Sequence, residues 1–433
     1  MPSTAHEELA RGDTRVPGLG TLLTPDALSD LLDSLLPADA ERPLGVEVTH
    51  RRYRPGTGLA TGFTARYPDG TRHAFARALA ADAAPGGLAE EVRYARRWVP
   101  EPAGRAVDIS DVEEPRLRGP LHDPGLCLVV GPPVDDLALT AVRHFASAPD
   151  RFGAPDGGSA RTLAYRPGRR WVGRIDDADG RPVTVVRARS GKVNASAYLA
   201  SAAAGIPVPD LVRISRYGLV ATRWVPGEPL DLLPARGSAA GDATLAEAGR
   251  LLARLHSVPP PRELLPADLG AEATAAASEV GGLVPGLAGR AEAVALRCAD
   301  ALADPSGPRV LAHGGFRAAR VLVGERGPAL ADLDRARVAH PAADLADFAA
   351  AEYAAGRSGD GPAAVLGPLL DGYLDEAPAA YAAGVLGALD AFTSAALLCR
   401  AAAPFRHGAP DWDTRAAALV ALAEDTGGRA PGR

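Results

Sequence analysis

His313-Gly314-Gly315-Phe316-Arg317-Ala318-Ala319-Arg320 is followed, twelve residues past Arg320, by Asp332-Leu333-Asp334 and then by Asp344-Leu345-Ala346-Asp347. Asp332 comes directly after a short apolar run, Ala329-Leu330-Ala331, which reads as a strand. Asp344 stands where Leu345 begins a helical pattern, so a capping role is expected of it. A histidine loop, an acid after a strand and an acid at a helix start form an ordered set. Such sets bring distant polar groups to one site.

Upstream, two segments repeat one another. Tyr53-Arg54-Pro55-Gly56 opens a run with a turn at Asp69-Gly70 and an ending at Arg77-Ala78. Tyr165-Arg166-Pro167-Gly168 opens a second, with a turn at Asp179-Gly180 and an ending at Arg187-Ala188. In both, the Arg-Ala pair follows the turn glycine at an offset of seven. Each run reads as a strand, a D-G hairpin turn and a strand. The match extends to Gly125-Leu126-Cys127-Leu128-Val129-Val130 and Gly218-Leu219-Val220-Ala221-Thr222-Arg223. Duplication is the reading favoured over chance similarity of two hairpins. Asn194 to Ala204 then reads as a helix, Leu219 to Trp224 as a strand, and Ala246 to His256 as an amphipathic helix.

The frame resembles the catalytic core of aminoglycoside-phosphotransferase or choline-kinase type kinases. That family carries H-G-D-x-x-x-x-N, a short hairpin, an I-D-x-x segment and a D-L-A helix start. Here Gly315 stands at the place of the base Asp and Arg320 at that of the metal-binding Asn. The resemblance covers about residues 158 to 425. It implies an α+β, two-lobed protein-kinase-like fold with an antiparallel small-lobe sheet and a helical large lobe. An extra N-terminal α/β region, a degenerate second small lobe if the duplication is real, comes first. The expected boundaries are residues 1–157, 158–233 and 234–433.

By the same resemblance, Asp332 is the candidate metal ligand and catalytic acid, with a turn Asp capping local backbone as the alternative. Asp334 is the only nearby carboxylate to replace the lost base in part. Arg187 holds the place of the small-lobe Lys, and Lys192, the only lysine in the chain, is the reserve cation against a bland loop position. No acid occurs in Val193-Asn194-Ala195-Ser196-Ala197, so the usual small-lobe ion pair is expected to be absent. Thr222, Trp224 and Val225 belong to the strand expected to carry the adenine. His313 is expected to brace the catalytic loop. Arg320 either neutralises phosphate in place of a metal or repels Mg²⁺.

A positioned carboxylate supplies roughly 10²–10⁴-fold in rate, so its absence at Gly315 points to a degenerate site. The leading functional expectation is a pseudokinase, a binding or accessory protein with a protein or peptide partner, for which a bacterial natural-product pathway making modified peptides is a setting. The alternatives are an active ATP-dependent phosphotransferase acting on a hydroxyl and a purely structural subunit. ATP and Mg²⁺ are the candidate cofactors, with none as the other outcome.

Composition bounds these readings. The 433 residues carry a net charge of −6, which argues against a dedicated nucleic-acid binder. The local run Arg51, Arg52 and Arg54 reads as a solvated strand end. A single lysine among many arginines, with abundant Ala, Gly and Pro, points to a GC-rich bacterial genome. The opening residues show no secretory pattern and the three cysteines no metal spacing, so a cytoplasmic protein with buried thiols is expected. Ala377 to Cys399 is apolar but contains Asp390, Pro378, Gly384 and Gly387, and reads as a buried helix pair, with no membrane span expected.

Overall fold

The computed structural model describes residues 4–97, 107–117, 121–191, 193–233, 237–303, 309–357 and 359–428. The chain forms two compact units. The first comprises residues 1–193, 211–224 and 404–412, and the second residues 194–210, 225–403 and 413–433.

Ten strands build the first unit: β1 Gly45–Arg54, β2 Gly58–Tyr67, β3 Gly70–Leu79, β4 Leu121–Asp123, β5 Leu128–Gly131, β6 Ser159–Arg166, β7 Arg170–Asp176, β8 Pro182–Arg189, β9 Leu211–Ser215 and β10 Leu219–Arg223. They form two five-stranded sheets of the same order, β1-β2-β3-β5-β4 and β6-β7-β8-β10-β9. Every pairing within them is antiparallel. Tyr53 pairs with Leu59 and Tyr165 with Trp171, the same register in both copies. A helix follows the third strand of each, Ala84–Arg96 in the first copy and Ser196–Ala203 in the second.

The Y-R-P-G segments prove to be turns rather than the start of a run. They close the first hairpin of each copy, ahead of the D-G turn. Gly56 at φ 64° and Gly168 at φ 67° take the left-handed conformation that this tight reversal needs. An upstream acid clamps each turn. Asp13 accepts from the Tyr53 hydroxyl and the Gly56 N–H, both at 2.7 Å. Asp136 accepts from the Tyr165 hydroxyl at 2.8 Å and the Gly168 N–H at 2.6 Å. Shared strand order, register and clamp make the N-terminal sheet a structural repeat of the second.

One alignment in the repeat needs correcting. Ala78 pairs with Leu128 and Ala188 with Leu219, so Cys127, not Gly125, corresponds to Gly218. Both occupy left-handed turn positions, at φ 53° and 88°. The sheets share one core, in which Phe75, Val129, Phe145, Trp171, Ile175 and Leu219 are buried together. Arg51 is not a solvated strand end. Its side chain is buried, donates to the Leu23 carbonyl at 2.5 Å and lies over the Phe405 ring.

The second unit is helical, with two short antiparallel sheets. The helix foreseen from Ala246 spans Ala239–Ser257, starting earlier because Ser238 caps it through the Gly241 N–H at 3.1 Å. Ala379–Arg400 is one continuous helix, not a pair. Pro378 precedes its first turn, and the glycines weaken a helix by only about 1 kcal/mol each. By length and composition it could cross a membrane, yet it packs against the helices Leu269–Leu283, Ala288–Leu302 and Ala342–Ala354. Cys127 and Cys298 are buried free thiols, and Cys399 is partly buried.

The helices Ala239–Ser257 and Pro368–Glu376 meet backbone to backbone. A Cβ on Gly249 would collide with the Leu369 carbonyl, and one on Gly372 with that of Ala246. Gly249→Ala is therefore expected to cost about 1–3 kcal/mol by overpacking, despite alanine's better helix propensity. Urea unfolding checks this, and an unchanged or raised midpoint would refute it. These features are those of the two-lobed α+β protein-kinase-like class, preceded by the extra sheet.

Candidate functional site

The strand Val310–Ala312 delivers His313 into the interior. Its Nε2 lies 3.0 Å from the Ala331 carbonyl, which ties the loop to the segment leading into Asp332. Burial lowers the His313 imidazole below its usual range.

Asp344 does something other than cap its own helix. The helix Ala342–Ala354 begins before it, and the buried carboxylate turns to the loop. Oδ2 accepts from the His313 N–H at 2.6 Å and Oδ1 from the Gly314 N–H at 2.9 Å. His256 Nε2 lies 3.1 Å from Oδ2, and Nδ1 of the same ring is 2.9 Å from the Tyr373 hydroxyl. Burial raises the Asp344 pKa, but His256, His313 and the loop N–H outweigh it and leave the group at about 2. A carboxylate holding two successive N–H groups fixes the loop backbone.

Gly315 sits at φ 150°, a conformation open mainly to glycine. A Cβ there would run into Nη1 of Arg320. That guanidinium donates to the Gly315 carbonyl at 2.7 Å, and its Nη2 lies 3.0 Å from the Asp332 carboxylate. Both side chains are nearly buried. Asp332 itself takes the left-handed conformation, φ 67° and ψ 50°, where the chain turns out of the strand Gly327–Leu330. Arg320 thus fills the space that a side chain at position 315 would need and pairs with the acid expected to bind metal.

Asp334 accepts from the Tyr198 hydroxyl at 3.0 Å. Tyr198 comes from Ser196–Ala203, the helix whose kinase-type acid is missing. That contact was not foreseen, because 136 residues separate the pair.

In the first unit, buried Arg187 reaches the Thr222 hydroxyl at 3.4 Å through both terminal nitrogens. Arg187 and Thr222 lie on paired strands, Arg187 opposite Val220. Trp224 is half-buried, with the Arg174 guanidinium 5.9 Å from its ring. Val225 is half-buried and belongs to the second unit. Lys192 lies outside the described residues.

An ion pair of the kind not expected in the second copy exists in the first. Arg77, equivalent to Arg187, bonds Glu91 from the helix after its strand, and its other nitrogen bonds Asp136 at 2.8 Å. The Arg-Ala anchor followed by Glu90-Glu91 was the signal available in the sequence.

A model of the phosphotransferase enzyme family matches residues 153–383, just over half of the chain. The chain belongs to that family. The chain is also similar to solved structures of phosphotransferases and kinases. An aminoglycoside phosphotransferase from Streptomyces rimosus is 19% identical, covering 59% of this chain and 98% of its own, with a TM-score of 0.39. A choline/ethanolamine kinase family protein from Mesorhizobium loti is 18% identical, over 62% and 92%, at 0.40. An ethanolamine kinase from Plasmodium vivax is 11% identical, over 62% and 82%, at 0.45. No curated protein matches by sequence.

Phosphotransferases of this type imply ATP and Mg²⁺. The residues present do not fit the metal. The Asp332 carboxylate faces a guanidinium, Arg replaces the second ligand, and among the described residues no cluster of three or more His, Cys, Asp or Glu could hold an ion. An ATP phosphate, by contrast, fits the donor chemistry of Arg320.

Proposed function

We propose that this phosphotransferase-family protein binds rather than transfers, as a pseudokinase whose output is a protein or peptide partner. One observation carries the reading: Arg320 bonds the Gly315 carbonyl and pairs with Asp332, so a single side chain takes the room of the base and the charge of the metal. Phosphoryl transfer is mostly positioning and charge neutralisation. A fixed guanidinium supplies the neutralisation, since its planar fork suits phosphate oxygens. With glycine at position 315, no side chain there aligns an acceptor hydroxyl. Nucleotide binding without turnover is the consequence.

The test is transfer from γ-labelled ATP to water and to small alcohols and aminoglycosides. Turnover is expected to stay at the uncatalysed background with or without Mg²⁺. Robust turnover abolished by Asp332→Asn would refute the reading. Nucleotide binding is followed separately by thermal shift, where ligand at a hundredfold excess over Kd adds about 2.7 kcal/mol.

A further inference from the structure

β1 carries a bulge between Val48 and His50, with Thr49 as the extra residue. His50 is buried, and its Nδ1 has no hydrogen-bond partner among the described residues; the Thr49 hydroxyl beside it is likewise buried without one. Two polar atoms left so at one bulge are costly unless something satisfies them. Three arginines and a histidine converge on the spot from two directions. His50 pairs across the sheet with Gly62, and Pro167 of the second Y-R-P-G turn rests on Gly62, 2.9 Å from where its Cβ would be. That contact brings Arg166 and Arg169 to His50. From the other side, the 404–412 segment lies along β1, where a Cβ on Gly408 would be 3.1 Å from the Val48 carbonyl. It carries Arg406 and His407, whose ring centroid is 6.4 Å from that of His50.

The electrostatics agree with the geometry. Burial, then Arg166, His407, Arg406 and Arg169, hold the His50 pKa down to about 3. The side chains that act most strongly on His50 are all basic, in a chain that is acidic overall.

We propose that this is an anion site of the first unit, taking the phosphate group of a small ligand between Arg166, Arg169, Arg406 and His407, with Thr49 and His50 at its floor. Arginine forks match phosphate oxygens in pairs. A neutral His50 protonated on Nδ1 and the Thr49 hydroxyl donate to the remaining oxygens. The site uses the Arg166–Arg169 turn, which Asp136 and Gly62 hold on the first sheet. It does not rest on the reading of Arg320 and Asp332.

The experiment is calorimetric titration of the full chain with inorganic phosphate and, separately, with phenyl phosphate, in low-salt buffer. Histidine ¹H–¹⁵N spectra are recorded alongside. Saturable binding that moves the His50 ring signals is expected. The double variant Arg166→Gln/Arg169→Gln should weaken it by roughly tenfold or more, the scale of losing one charge-assisted hydrogen bond. Both arginines are exposed, so the fold is expected to survive, and an unchanged melting temperature verifies this. Arg320→Ala should leave this binding intact. Tighter binding of phenyl phosphate would identify a phosphomonoester as the occupant, and tighter inorganic phosphate the free ion. Binding lost in Arg320→Ala but kept in the double variant, or no saturable binding of either probe, would overturn the proposal.

Discussion

Asp344→Ala is expected to destabilise the second unit by about 3–5 kcal/mol, the scale of breaking a buried charged pair while leaving its partners behind. The carboxylate accepts from the N–H groups of His313 and Gly314 and meets His256 Nε2. All three lose their acceptor in a region closed to water. The pH dependence has a definite sign. The folded carboxylate titrates at about 2, below its usual value of 3.8. The stabilisation is therefore full above the unfolded pKa and is lost as pH falls from near 4 through 2. A shift of this size corresponds to about 2–3 kcal/mol. Denaturant unfolding between pH 7 and pH 2 measures both effects, and the alanine variant should lose that part of the acid slope. Asp344→Asn keeps one carbonyl acceptor and should fall between. An alanine variant as stable as wild type would show that Asp344 does not brace the loop.

The second large effect concerns Arg320 and Gly315 together. Gly315→Asp alone is expected to gain no transfer activity and to lose about 1–3 kcal/mol, because φ 150° strains any L side chain. Its Cβ also meets the Arg320 guanidinium. Arg320→Asn removes the built-in cation and frees the Asp332 carboxylate to attract a metal ion. Nucleotide affinity should then become dependent on Mg²⁺, whereas that of the wild type is expected to be indifferent to it. Combining Gly315→Asp with Arg320→Asn should raise transfer above either single variant by roughly 10²-fold or more, the contribution of a positioned carboxylate. Calorimetry with and without Mg²⁺ and single-turnover transfer from labelled ATP separate these outcomes. Wild-type affinity that rises strongly with Mg²⁺ would remove Arg320 from the metal's place.

The duplicated sheet explains why the first 157 residues resisted a family reading. Its hairpins repeat those of the second copy, and Asp13 holds its turn as Asp136 holds the other. Asp136 also accepts from Arg77 of the first copy, so one carboxylate joins the two sheets. The first copy retains an Arg77–Glu91 pair, while the second puts Thr222 against Arg187 and Tyr198 against Asp334.

What the sequence determined by itself was local. The D-G and P-G turns, the strand leading to Asp332, the helix pattern around Leu251 and the loop from His313 to Arg320 all follow from backbone preference and periodicity over a few residues. The same signals exposed the duplication and the vacancy at Gly315. The tertiary structure alone decided where the charged side chains go. Asp344 turned from its own helix to a loop 31 residues away, and Arg51 left solvent for the Leu23 carbonyl. Arg320 found Asp332 rather than water, and the arginines and histidine around His50 assembled from two separate segments. A buried charge takes whichever partner the packed backbone brings within reach, and that choice is made by chain segments remote in sequence.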